Sequence, residues 1–117
     1  MRTLFTVVVI AGVIASATTA PQQRQLTFKD VKPIFDKKCL PCHGAEYPGG
    51  NFRMNSYEAI MKGGQHGKAV IAKNSAGSRM MKMLKGTIQP RMPMDATPLS
   101  QMELEKISKW ITQGARK

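Results

Sequence analysis

Cysteine and histidine are almost missing from this sequence, which has two of each. Two cysteines allow one disulfide at most, and a bridge between Cys39 and Cys42 would close a tiny loop of little stabilising value. Structural zinc takes four ligands, so two cysteines and two histidines leave no margin, and His66 stands apart in a glycine loop. Aromatic residues make up only 6% of the chain, and no nucleic-acid recognition motif is present. The net charge of +11 is therefore not read as a nucleic-acid footprint, the more so because Lys and Arg are spread over every segment. There is no internal repeat and no low-complexity tract. No apolar run reaches the roughly 20 residues that a membrane-spanning helix needs.

The first residues look like a leader. Met1-Arg2 is a short positive start, Leu4 to Ala17 is uncharged and apolar, and Ala15-Ser16-Ala17 offers a small-residue cleavage site. Thr18-Thr19-Ala20 is a second such site, disfavoured because Pro21 would follow the cut. No cysteine ends the run to carry a lipid. The expectation is a signal peptide over 1–17 (or to 20), a flexible lead-in over 18–26 and one domain over 27–117, exported to the periplasm. Loss of Arg2 with the leader brings the charge from +11 to +10. A domain of about 100 residues buries little apolar surface and commonly needs a staple, and with no useful disulfide that staple is a metal or a large buried cofactor.

Helical signals recur between long loops. Asp30 is expected to cap a first helix with Pro33 in its first turn, Val31, Ile34 and Phe35 on one face, and Cys39 at its end. "HGAEYPGGNF" reads as loop. Ser56 caps a short helix through Met61 that stops at Gly63-Gly64, and "AVIA" offers a short extended piece beyond it. Ser75 is expected to cap a helix in which Ala76, Met80, Met83 and Leu84 share a face, with Gly86 as its stop. Pro90, Pro93 and Pro98 make Gly86–Pro98 a stiff, irregular loop. Ser100 and Glu103 form a capping box with Leu99 and Leu104 as its staple, and the last helix carries Leu104, Ile107, Trp110 and Ile111 on one side. The fold class is a small all-α domain.

The chemistry is concentrated in "KKCLPCHGA", Lys37 to Ala45. Cys-x-x-Cys-His is the attachment signature of c-type haem: two thiols add to the two vinyl groups along one porphyrin edge, and the next residue sets an imidazole under the iron. Cys39 and Cys42 are thus the covalent anchors and His43 the proximal ligand. A thioredoxin-like redox pair would need a strand before the motif and a βαβ frame, and neither is visible. For the other axial position the chain has a surplus of methionine. Met54, Met61, Met80, Met81, Met83 and Met102 fall on or beside predicted helices, where methionine ordinarily fills core. Met92 and Met94 fall in the proline-stiffened loop, whose held backbone suits a weak thioether ligand. Met92 is favoured, with Met94 and then His66 as alternatives.

From about Phe28 to Ala115 the chain resembles a class I monohaem cytochrome c, and most closely the planctomycete-type cytochrome c domain. The resemblance is carried in order by "VKPIF", "CLPCHGAE", "GGNFRMNSYEAIMKGG", "RMP" and "LEKISKWITQGA". It implies a few helices and ordered loops wrapped around one covalently bound haem, first and last helices crossing so that Phe35 meets Trp110, and Met92 as sixth ligand. The family usually continues Met-Pro-Pro, whereas this chain has Met92-Pro93-Met94, which keeps Met94 open as a second sulfur. Arg53 and Arg91 are candidates for pairing with the haem propionates.

The implied function is single-electron transfer without bond-making in a substrate, so not an enzyme. The positive charge suits steering towards an acidic redox protein, a membrane-bound oxidase or reductase, or peripheral contact with an anionic membrane surface. Two rival readings stand beside it. One is a haem enzyme or a gas or peroxide sensor with an open distal site, against which no distal histidine–arginine pair is evident in the sequence. The other is a subunit of a dehydrogenase complex that passes electrons without diffusing freely.

Overall fold

In the computed structural model residues 4–117 are described, and Met1 and Arg2, the positive start of the expected leader, lie outside them. Residues 4–25 are exposed and carry no regular element. The rest is helical: α1 (Phe28–Lys38), α2 (Leu40–His43), a 3-10 turn (Gly49–Asn51), α3 (Tyr57–Lys62), α4 (Arg79–Leu84) and α5 (Gln101–Thr112). Among the described residues the one β feature is an isolated bridge between Gly64 and Gly67, so "AVIA" forms no strand.

α1 begins earlier than its sequence suggested. Thr27 is the N-cap, and its N–H donates to the Asp30 carboxylate at 2.8 Å, so Asp30 closes a capping box from the third helical position. Pro33 accordingly sits in the second turn, where it leaves the Lys29 carbonyl without its usual helical donor. Tertiary contacts hold the early start. The Phe28 N–H donates to the Arg116 carbonyl at 2.8 Å, and the Phe28 ring lies 5.6 Å from Tyr57 and 6.3 Å from Trp110, centroid to centroid.

α1 packs on α5 through apolar faces. Val31 and Phe35 meet Ile107, Trp110 and Ile111, all of them fully buried. Phe35 and Trp110 stand edge to face at 6.0 Å and 69°, the contact that the family resemblance implied. Burial of each such side chain stabilises by about 2 kcal/mol. The Trp110 indole N–H is satisfied by the Arg116 carbonyl at 2.8 Å, and the Tyr57 hydroxyl donates to the Ala115 carbonyl at 2.9 Å. The C-terminal residues therefore lace α1, α3 and α5 together.

α4 is shorter than expected, and Ser78, not Ser75, precedes it. The Asn74 side chain accepts from the Gly77 N–H at 2.8 Å, and this local turn competes with the helix. Ser78 is fully buried, with its hydroxyl accepting from the Ile71 N–H and donating to the Asn74 carbonyl. Both α4 and α5 end in the same way. Gly86 and Gly114 take left-handed φ of 73° and 113°, while Thr87 N–H reaches the Lys82 carbonyl and Ala115 N–H the Trp110 carbonyl.

At the start of α5, Ser100 Oγ accepts from Glu103 N–H at 3.2 Å and Ser100 N–H donates to Glu103 Oε2 at 2.8 Å. The bond from Ser100 holds the Glu103 carboxyl below its ordinary range. Ser100→Ala should cost about 1 kcal/mol in urea unfolding. Glu103→Gln should lower the thermal midpoint at pH 7. Because the folded carboxyl is the stronger acid, its contribution is fully present above the ordinary carboxylate range and is lost as pH falls through the lowered folded value, so the difference from wild type should shrink progressively as the solution is acidified below that range.

Candidate functional site

One helical turn sets the centre of the site. α2 starts at Cys39, whose carbonyl accepts from the Cys42 N–H at 3.1 Å and the His43 N–H at 2.8 Å. Residues three and four apart on a helix share a face, so Cys39, Cys42 and His43 all line the same wall of one cleft. Cys39 is half-buried, Cys42 is exposed, and both are free thiols. Burial pushes the Cys39 thiol up to about 11, with the neighbouring Cys42 adding to the shift. A redox-active or metal-binding thiol is shifted the other way.

The His43 ring is oriented from behind. Its Nδ1 lies 2.9 Å from the Phe52 carbonyl oxygen, which fixes Nδ1 as the N–H donor and leaves Nε2 as the free lone pair. The Phe52 ring packs against the imidazole at 5.4 Å, and the Met54 N–H donates to the His43 carbonyl at 2.7 Å. The loop after the motif is thereby tied back on it.

The cleft has a volume of about 330 Å³. That lies within the roughly 300–1,000 Å³ usual for small-molecule sites, and its wall is mostly apolar. Other segments that line the cleft supply sulfur: Met54, Met80 and Met83, and from the proline-rich loop Met92 and Met94. Met92 is half-buried against the core and its N–H donates to the Met83 carbonyl at 3.0 Å, so α4 fixes its backbone. Met94 is 52% exposed. Met54 and Met80 are buried in the core, as their sequence positions predict, and also line the cleft, as half-buried Met83 does, because helical spacing cannot tell a face on the core from a face on a cavity.

The two arginines singled out from sequence are not on this wall. Arg53 donates from Nε to the Ala45 carbonyl at 3.3 Å and lines a separate hollow, while the Arg91 side chain packs beside Gly86. The cations that line the cleft are Lys38, in the last turn of α1, and Arg79, at the start of α4. His66 also lines it, exposed and 3.2 Å from the Gln65 amide nitrogen. Among the described residues no carboxylate lines the cleft. Among the described residues no group of three or more His, Cys, Asp and Glu side chains is placed to hold a metal ion, so the zinc reading finds no support.

The donor set fits an iron porphyrin: two thiols and an imidazole nitrogen on one wall, thioethers on the others and an apolar interior. Gly64 shows how tightly the rim is closed, since a Cβ there would stand 2.7 Å from the Gly50 carbonyl oxygen and 2.8 Å from Phe52 Cβ. Gly64→Ala should cost roughly 1–3 kcal/mol in urea unfolding, the price of overpacking.

The model of the family described as planctomycete cytochrome C matches residues 39–95. No curated protein and no solved structure matches the chain. The matched span begins at the first cysteine, includes both Met92 and Met94, and holds nearly all of the cleft wall. Over residues 39–95 the chain is thus similar to the planctomycete cytochrome C domain.

Proposed function

We propose that this protein is an exported monohaem c-type cytochrome that carries single electrons between redox partners. The observation that carries the reading is the α2 turn, which sets Cys39, Cys42 and His43 on one wall of an apolar cleft while the Phe52 carbonyl orients the imidazole. Cys39 and Cys42 would hold the group as thioethers, His43 Nε2 would ligate it on one side and the Met92 sulfur on the other. Haem c held there supplies a ferrous–ferric couple, and methionine opposite histidine raises its potential. Met92 is preferred to Met94 because α4 fixes its backbone and the core half-buries its side chain. The apolar walls exclude water, and Lys38 and Arg79 make the cleft a place of positive potential.

The proposed setting is the periplasm, after removal of the leader. The proposed partner is an acidic redox protein or a membrane-bound oxidase or reductase, drawn in by a chain whose formal charge of +11 becomes +10 when Arg2 leaves with the leader. The rival with an open distal site draws on one observation, that His66 and Arg79 both line the cleft.

One spectrum separates the readings. The oxidised protein should show a sulfur-to-iron charge-transfer band in the far red, which Met92→Ala abolishes and Met94→Ala leaves in place. The opposite pattern would assign Met94. Absence of the band in the wild type, with cyanide binding as fast as to an open site, would favour the rival.

A further inference from the structure

The methionines differ in exposure and in place. Met54, Met80 and Met81 are buried, and Met61, Met83 and Met92 are half-buried. Two are exposed, Met94 at 52% and Met102 at 81%. Met102 stands in the first turn of α5 and does not line the cleft, whereas Met94 does. Among the described residues Met94 is thus the one cleft methionine that is open to solvent.

The backbone at Met94 is also held differently from that at Met92. The Met92 N–H donates to the Met83 carbonyl at 3.0 Å, but among the described residues no hydrogen bond joins residues 93–98 to the rest of the chain. Pro93 and Pro98 have no N–H to give. The next firm anchor is the buried side chain of Leu99. Between Met92 and Leu99 the segment stays against the cleft through side-chain packing alone, with Pro93 and Met94 as its cleft-lining residues. A segment held without backbone bonds opens more readily than a bonded one. Of those two side chains only the thioether is chemically reactive.

We infer that Met94 is a site of oxidative modification, and that hydrogen peroxide, by converting it to the sulfoxide, releases residues 93–98 and opens the Met92 side of the cleft. In the reaction a sulfur lone pair takes one peroxide oxygen and the O–O bond breaks. The other oxygen leaves as hydroxide and gains a proton to become water. The thioether loses two electrons and the peroxide gains them. A polar sulfoxide then stands where an apolar side chain packed on an apolar wall, and that contact weakens. Met92 keeps its own backbone bond and an unoxidised sulfur, so its surroundings open while the donor stays. The consequence for access to iron rests on the haem proposed above.

The test uses the purified mature haem protein in its oxidised form and two variants. Met94→Leu keeps an apolar cover that takes no oxygen, and Met94→Gln sets a polar side chain there from the start. Each protein is treated with dilute hydrogen peroxide, cleared of it with catalase and mixed with cyanide. Tandem mass spectrometry of the peptide after Arg91 places each added oxygen on Met92, Met94 or Met102. Met94 should gain oxygen while Met92 does not, the far-red band should persist, and cyanide should bind roughly tenfold faster or more than to untreated protein. Met94→Gln should bind it as fast without peroxide, and Met94→Leu should stay slow even with Met102 oxidised. Oxygen on Met92 as early as on Met94, an unchanged cyanide rate after oxidation of Met94, or equal acceleration in Met94→Leu would each overturn the inference. So would loss of the far-red band in Met94→Leu, which would make Met94 the ligand itself. A chain without porphyrin absorbance would defeat the haem reading and this consequence together, whereas porphyrin with any of those four results would defeat the inference alone.

Discussion

The hydrogen bond between His43 Nδ1 and the Phe52 carbonyl, at 2.9 Å, joins the cysteine motif to the loop that follows it, and the cleft is built around that join. A single imidazole on a surface turn would be free to rotate. Here the backbone holds one nitrogen as donor, the Phe52 ring stands tilted at 61° against the imidazole, and the Met54 N–H closes a second bond to the His43 carbonyl. The other side of the cleft depends on a similar tie, the Met92 N–H on the Met83 carbonyl, which fixes the proline-rich loop to α4. The sulfur and imidazole donors are held by backbone bonds, so a weak thioether need not organise its own surroundings.

Around that site the domain is thinly built. Its dry core is centred on the contact of α1 with α5 at Phe35 and Trp110 and extends to Ile60, Val70, Met81 and Leu84, and the C-terminal residues bond to Phe28, Tyr57 and the indole to close one end. At the other end the centre of the molecule is a cleft and not packed side chains. A chain of this size gains little from burial alone, so a large apolar ligand in that cleft would complete the core as well as carry the function.

Much of this was legible in the sequence. Ser56, Ser100 with Glu103, Gly86 and Gly114 each announce a helix boundary through local chemistry, and the structure has the boundaries there. The two misplaced starts have different causes, one distant in sequence and one local. Asp30 and Ser75 are good caps in isolation, but long-range bonds from Arg116 extended α1 and a side-chain turn from Asn74 delayed α4. Within the site, the Cys39–His43 turn was readable because its spacing is its geometry. The contributions of Lys38, Arg79, Met80 and Met83 depend on how α1 and α4 face the cleft, which no local pattern reports. Arg53 was noticed for its charge and proves to line a neighbouring hollow instead of the cleft wall.

The proposed function requires porphyrin joined to this chain through Cys39 and Cys42. The most direct measurement is the intact mass of mature protein from a host with c-type maturation machinery, taken with a thiol titration of the unfolded chain. The predicted result is a mass higher than the polypeptide by one haem, with neither thiol reactive. A bare polypeptide mass with both cysteines titratable would contradict it.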